Sequence, residues 1–289
     1  MKFLIKTILY TYLSCIAYIA TAQSIAINDS KSAQELVEEI LINSPCVSAS
    51  NFTVTGDSFS GSSNSYGYFN NQGGSFPLKE GIVLSTWSSI NSVGPFVINR
   101  NQNPSWAGDN DLNQVLSISN SLNATFLEFD FIANTDFISF NYIFASNEYQ
   151  DDFPCNYADG FAFLIKEKMS TSSYKNIAVL PNSSIPVSSK SIHPQINAII
   201  NSTEPIKNCG PENENYYGGY NTNNSPINYA GQTKVLNASS TTEVGKTYHV
   251  KLVIADQNNS YFSSAVFIEA GSFAPKINLG PDQTLCFNE

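Results

Sequence analysis

Four carboxylates, Glu148, Asp151, Asp152 and Asp159, crowd into the stretch Ser146–Asp159 together with Cys155. Carboxylates held close to one another repel unless a cation or a hydrogen-bond donor sits among them. Oxygen donors alone, without histidine, suit a hard cation such as Ca2+, which takes about six to eight oxygen ligands. Asp256 lies at the end of a later apolar run and can join them, so the metal set read from the chain is Glu148, Asp151, Asp152, Asp159 and Asp256, with Ca2+ as the cofactor. Asp109 and Asp111 are further oxygen donors in a neighbouring loop. The competing reading is a solvated acidic loop whose carboxylates cap turns, since no EF-hand spacing is present. A second chemistry is glycan binding by Asp159 and Gly160 with the rings of Tyr217 and Tyr220, because aromatic faces cover sugar C–H surfaces and carboxylates read hydroxyls; its competitor is an Asn/Tyr loop that simply packs. A third is glycoside hydrolysis by Glu128 and Asp130, which share one face of a strand.

Other catalytic classes find little to work with. The chain has two histidines, His193 and His249, and no G-x-S-x-G, P-loop, dinucleotide-type glycine pattern or zinc spacing. The expectation is a binding protein and not an enzyme.

The elements that must hold these residues are mostly strands. Phe137–Ala145 alternates, with Ile138, Phe140, Tyr142 and Phe144 on one face and Ser139 and Asn141 on the other, the period of a half-buried strand. Gly160–Ile165 is its apolar partner across the acidic loop. Leu127, Phe129 and Phe131 share a face in the strand Phe126–Ala133, and Tyr248, Val250, Leu252 and Ile254 do so in Thr247–Ala255. Further strands are expected at Asn51–Thr55, Gly81–Ser85, Ile177–Leu180, Thr233–Ala238 and Ala265–Ala270. Gly56–Gly74 and the Asn/Tyr/Gly-rich stretch Glu212–Tyr229 read as turns and loops. One amphipathic helix is expected over residues 31–42, with Ser32 and Glu35 as a capping box and Ala33, Leu36, Val37, Ile40 and Leu41 on one face. Many short strands and one helix predict a mainly β fold, an antiparallel β-sandwich or jelly roll with one N-terminal amphipathic helix.

Composition sets the compartment. Charged residues make up 13% of the 289, about half the usual share, while 42% are hydrophobic. The formal net charge is −10, which excludes a nucleic-acid partner needing a basic surface. Lys2 and Lys6, the apolar run Thr7–Ile19 and Ala20-Thr21-Ala22 have the layout of an export signal over residues 1–22. No later segment reaches membrane-spanning length. Cys46, Cys155, Cys209 and Cys286 remain, an even number that allows three pairings. Cys155 and Cys209 share loops rich in Asn and acidic residues, and their pairing is the expected disulfide. Beyond residue 274, Pro275 and Pro281 mark a linker, and Leu285-Cys286 reads as the first strand of a further repeat over 275–289.

In order along the chain, Gly81-Ile82-Val83-Leu84-Ser85-Thr86, Gly108-Asp109-Asn110-Asp111-Leu112, Leu127-Glu128-Phe129-Asp130-Phe131, Phe140 to Tyr149, Ala158 to Phe163, Tyr248 to Asp256 and Ser264 to Phe273 resemble the choice-of-anchor L domain. The resemblance spans roughly residues 25–274. It implies an exported surface module of large proteins of gliding bacteria, often followed by immunoglobulin-like repeats. The family's Ser-Glu-Glu-Tyr stands here as Ser146-Asn147-Glu148-Tyr149, with one acid lost. Ala158 to Phe163 is also similar to the Ala-Asp-Gly segment of legume-type lectins, which places an aspartate at the sugar site. The resulting expectation is a secreted adhesion or interaction module that meets a surface glycan or protein, with calcium assisting. A secreted polysaccharide hydrolase and a structural spacer are the alternatives.

Overall fold

The structure, a computed structural model, describes residues 23–98, 104–197 and 207–273. The expected export signal over 1–22, and Cys286 with the repeat expected over 275–289, lie outside the described residues.

Two antiparallel sheets face each other. The first runs β1 (Ala26–Asn28), β3 (Tyr66–Asn70), β4 (Glu80–Ser85), β13 (Ser264–Glu269), β6 (Phe137–Ser146), β10 (Gly231–Thr233), β9 (Tyr217–Tyr220), and β11 (Leu236–Thr241) also pairs with β6. The second runs β2 (Ala49–Thr55), β5 (Ser121–Ile132), β12 (Thr247–Gln257), β7 (Gly160–Glu167), β8 (Lys175–Asn176). The expected sandwich is therefore present. Leu127, Phe129 and Phe131 of β5, the alternating set of β6, Phe161 and Phe163 of β7, and Leu252 and Ile254 of β12 fill the space between the sheets. Burying each phenylalanine contributes about 1.5–3 kcal/mol.

Both sheets also carry apolar cover on their outer faces. Ile143 and Ala145 of β6 pack with Phe69, Phe76 and Phe267 outside the first sheet. Helix α2 (Asn110–Leu116), capped by the Asp109 side chain on Leu112 N at 2.8 Å, lays Leu112 on Ala162, Leu164 and Val253 outside the second.

Helix α1 begins as an α-turn at Ala33–Glu35 and continues as a π-helix at Leu36–Ile42. The capping box is formed: Glu35 N donates to Ser32 Oγ, and Ser32 N donates to the Glu35 carboxylate at 2.8 Å. The wider turn changes the buried face from the one expected of an α-helix. Leu36, Val37, Leu41 and Ile42 are buried, while Ile40 is only half-buried. Phe273 closes this end of the sandwich. Its N–H donates to Leu41 O, and its ring meets Phe129, Phe131 and Phe140 with centroids 4.8–5.5 Å away.

Several expected boundaries move. The strand expected at Ile177–Leu180 is instead the two-residue β8, followed by a single bridge from Val179 to Pro186. Thr233–Ala238 divides into β10 and β11. β3 and β9 lie in stretches expected to be loop, because their Gly, Tyr and Asn content masks the alternation.

Candidate functional site

The inward faces of five strands end in polar residues at one end of the sandwich. β6 runs Ile138, Phe140, Tyr142, Phe144 and then Ser146. β12 runs Val250, Leu252, Ile254 and then Asp256. β13 places Ser264 before Val266 and Ile268. Asp159 precedes Phe161 and Phe163 of β7, and Asn123 and Thr125 precede Leu127 of β5. Period-two geometry turns all of them toward the space between the sheets. α1 and Phe273 plug the opposite end, so this end is closed by polar side chains.

Three carboxyls meet there. Glu148, two residues beyond β6, is 5% exposed, Asp159 4% and Asp256 0%. Asp159 N donates to Glu148 Oε2 at 3.1 Å, and Ser189 Oγ donates to the same oxygen at 2.6 Å. Asp159 Oδ2 accepts from Ser264 Oγ at 2.5 Å, and its Oδ1 accepts from Gln257 N at 3.3 Å. Ser264 Oγ also bonds Ser146 Oγ at 2.9 Å, across the Ser146–Ser264 register pair of β6 and β13. Asn123 Nδ2 donates to Asp256 Oδ2 at 2.9 Å, and Asp256 Oδ1 has no hydrogen-bond partner. Asn123 reaches inward because β5 is irregular opposite Asp256, with Asn123 at φ +56°.

No Lys or His among the described residues forms an ion pair with any of the three. Burial penalises their charged forms, and each carboxyl feels another's charge. Burial pushes Glu148 up to about 7 against the hydrogen bonds from Ser189 and Asp159. Burial first, then the charges of Glu148 and Asp256, hold Asp159 well above the usual carboxylate range. Burial likewise raises Asp256, with the charge of Glu148 adding to it and the Thr86 and Asn123 side chains opposing.

Of the five expected metal ligands, the structure brings Glu148, Asp159 and Asp256 together and leaves two out. Asp151 sits exposed on a turn at φ +48°. Asp152 Oδ2 faces the segment held by the disulfide, accepting from Lys207 N at 2.9 Å and from Asn156 Nδ2 at 3.3 Å. That disulfide joins Cys155 and Cys209 as expected, and Cys46 is a free, exposed thiol. The acidic loop is thus solvated only at its tip, around α3 (Phe153–Asn156), and both its ends are buried. Asn147, which replaces the acid of the resembled motif, braces strands instead: its Oδ1 accepts from Ala230 N and its Nδ2 reaches Ser263 Oγ. Among the described residues, no group of three or more acidic, His or Cys side chains is placed to hold a metal ion. The donor set at this end is all oxygen, including an orphaned carboxylate oxygen, which matches the hard-cation preference of Ca2+.

A cavity of about 250 Å3 opens onto Asp159. Leu116, Ile118, Ile185, Pro186 and Val187 wall it, and Lys190 and Gln257 also border it. Gly160 is buried at its base, where a Cβ would meet Leu112 Cδ2 at 3.0 Å. The segment that walls the cavity also supplies Ser189, so one loop both shapes the opening and binds Glu148.

The four expected glycan residues divide. Asp159 and Gly160 border the cavity, whereas Tyr217 and Tyr220 lie on β9. There Tyr217 packs on Tyr149 at 5.2 Å and on Tyr220 at 5.3 Å, and no hydrogen bond or ring contact among the described residues joins them to Asp159. Glu128 and Asp130 are neutralised on the outer face of the second sheet. Lys251 Nζ lies 2.5 Å from Asp109, 2.8 Å from Asp111 and 3.4 Å from Glu128. His249 Nδ1 lies 2.7 Å from Asp130, which also pairs with Lys168. Burial opposes ionisation of Asp130, but hydrogen bonds from Lys168, Asn51 and His249 outweigh it and lower its pKa. Burial likewise acts to lower Lys251, and the hydrogen bonds it donates to Asp109 and Asp111, with their charges, overcome that and raise it to about 12.

Sequence reasoning missed Ser146, Ser189, Ser264, Asn123 and the wall at 185–187. Extending each apolar alternation by one step reaches Ser146 and Ser264; nothing in the local pattern marks Ser189.

No helix among the described residues is long and apolar enough to cross a membrane. Neither the curated proteins nor the solved structures contain a match to the chain. The family model of the choice-of-anchor L domain matches residues 24–274. That match takes in every strand of both sheets, all three carboxyls and the Phe273 plug, and the chain therefore belongs to the choice-of-anchor L family of surface-associated modules.

Proposed function

We propose that the chain is a cell-surface adhesion or interaction module that binds Ca2+ through Glu148, Asp159 and Asp256 and uses the ion to hold a surface glycan. The observation that carries this reading is the meeting of three buried carboxyls with no cationic side chain among the described residues paired to them. Buried charge is tolerated only when paired or bound to a metal. Burial and the neighbouring charges favour the protonated forms of all three carboxyls. Glu148, Asp159 and Asp256 would hold the ion through carboxylate oxygens that now accept from Ser189, Ser264 and Asn123, together with Asp256 Oδ1.

The test is a calorimetric titration of the chain with Ca2+, paired with thermal melts in calcium and in chelator. An ion that binds only the folded state raises the midpoint by mass action, by about 3 kcal/mol of stability at a hundredfold excess over Kd. Saturable heat and a raised midpoint, both lost in Glu148→Gln and Asp256→Asn, are expected. No heat and no shift would refute the calcium reading.

A further inference from the structure

We propose that the cavity beside Asp159 receives the side chain of a lysine from a protein partner, its methylenes against the aliphatic wall and its ammonium on the Asp159 carboxylate. Asp159 alone is required, so the site stands apart from the calcium reading, and the two cations would exclude each other there. The cavity encloses about 250 Å3, just below the roughly 300–1,000 Å3 of drug-sized sites, which suits one long side chain. Leu116, Ile118, Ile185, Pro186 and Val187 wall it, and no aromatic ring is among its lining residues. Such a wall suits an aliphatic stem, because lysine buries its methylenes along apolar surface while its charged head reaches a polar group. The polar group here is a carboxyl. Asp159 borders the cavity and is 4% exposed. Its Oδ2 turns to Ser264, which is fully buried and does not line the cavity. Its Oδ1 accepts from the backbone N–H of Gln257, a lining residue, over a long 3.3 Å. Oδ1 therefore lies on the cavity side with capacity for a further donor. No Lys or His among the described residues forms an ion pair with Asp159.

Charge complementarity selects the occupant. Burial, with the charges of Glu148 and Asp256, disfavours the Asp159 carboxylate, and an ammonium beside it supplies the opposite charge that the fold leaves out. An uncharged aliphatic side chain fills the wall and brings nothing to Asp159. Arginine presents a planar fork suited to a carboxylate with both oxygens free, whereas Oδ2 here is held by Ser264 Oγ at 2.5 Å. An anionic ligand meets Asp159 as a like charge. Lys190, exposed at the border, opposes a second cation at the mouth, so removing its charge should tighten binding.

The experiment is calorimetric titration of the chain, in chelator, with the peptide acetyl-Gly-Lys-Gly-amide, its norleucine and arginine counterparts, and n-pentylamine as a free amine. The lysine peptide is expected to bind about 10- to 100-fold more tightly than either counterpart, the range of one hydrogen bond to a charged group. Asp159→Asn keeps an oxygen for Ser264 and Gln257 and should abolish that preference. Ile185→Trp, at a position 45% exposed, fills the mouth and should abolish binding of the lysine peptide with the melting midpoint unchanged. Lys190→Gln should strengthen binding several-fold. No binding of the lysine peptide, equal binding of the norleucine peptide, or binding indifferent to Ile185→Trp overturns the site. Binding of n-pentylamine without the peptide overturns the protein partner. Calcium titration in the absence of peptide decides the calcium reading separately, so either can fail alone.

Discussion

The buried carboxyls make the metal-free protein sensitive to alkali, in a direction opposite to that of ordinary salt-bridged acids. Glu148 carries its proton in the folded state up to about pH 7, whereas in the unfolded chain it ionises near its ordinary value of 4.5. Between those values the folded state binds the extra proton. Stability from this group is therefore fully present below pH 4.5 and is lost as pH rises through 7. One pKa unit corresponds to about 1.4 kcal/mol, so raising the pH from 5 to 8 removes about 3 kcal/mol through Glu148 alone. For a domain of this size each kcal/mol moves the midpoint by about 2–4 °C, which gives a fall of about 6–12 °C. The assay is differential scanning calorimetry in chelator across that range, on the native chain and on Glu148→Gln. Glutamine keeps an oxygen to accept from Ser189 Oγ and Asp159 N but carries no charge. The variant should melt higher than the native chain at pH 8 and show a much flatter pH profile. A native midpoint that is level or rises from pH 5 to 8 would refute the argument that these carboxyls lack a compensating charge. Adding calcium should reverse the slope, because the ion binds the ionised form.

Other substitutions probe the frame around the site. Lys251→Met should cost about 3–5 kcal/mol in urea unfolding, because it leaves Asp109, Asp111 and Glu128 crowded without their cation; adding Asp109→Asn should recover part of the loss. Replacing Cys155 and Cys209 together by alanine opens a cross-link spanning a sequence separation of 54 and should destabilise the fold by up to about 4 kcal/mol, read as a lower calorimetric midpoint. Gly81→Ala places a Cβ 1.8 Å from Ile268 O between two central strands, and its soluble yield should collapse, while Gly210→Ala, with open space at its Cβ and no positive φ, should fold with only a small penalty.

How far the chain could be read in advance depended on how many faces of each element are buried. β5, β6 and β12 alternate strongly because one face meets the inter-sheet core, and the face each buries followed from that alternation. The second role of β6 was hidden, because Ile143 and Ala145 look like breaks in an alternation until the outer cover of Phe69, Phe76 and Phe267 is known. The π-turn of α1 left its capping box visible but moved Ile42 into the core in a way a 3.6-residue period does not produce. At the site, Glu148 and Asp159 could be named because they lie in the acidic stretch between two apolar runs, and Asp256 because it ends one. Asp151 and Asp152 shared the same acidic stretch, but the backbone at Asp151 and the disulfide at Cys155 turn them elsewhere. Ser189 comes from more than forty residues away in the chain, and only the folded loop brings it to Glu148.

The position of β13 bears on how this module carries tension. The strand lies in the middle of the first sheet, laddered to β4 on one side and to β6 on the other, and the chain leaves it toward Phe273. A pull applied through residue 273 must first draw that ring from its seat among Phe129, Phe131 and Phe140, and then shear two hydrogen-bonded ladders together. β1, by contrast, is a three-residue edge strand with one partner and would peel first under load from the opposite terminus. Ser264, the inward residue at the far end of β13, touches Asp159 directly, so a load that shifts this strand acts on the carboxyl pocket as well.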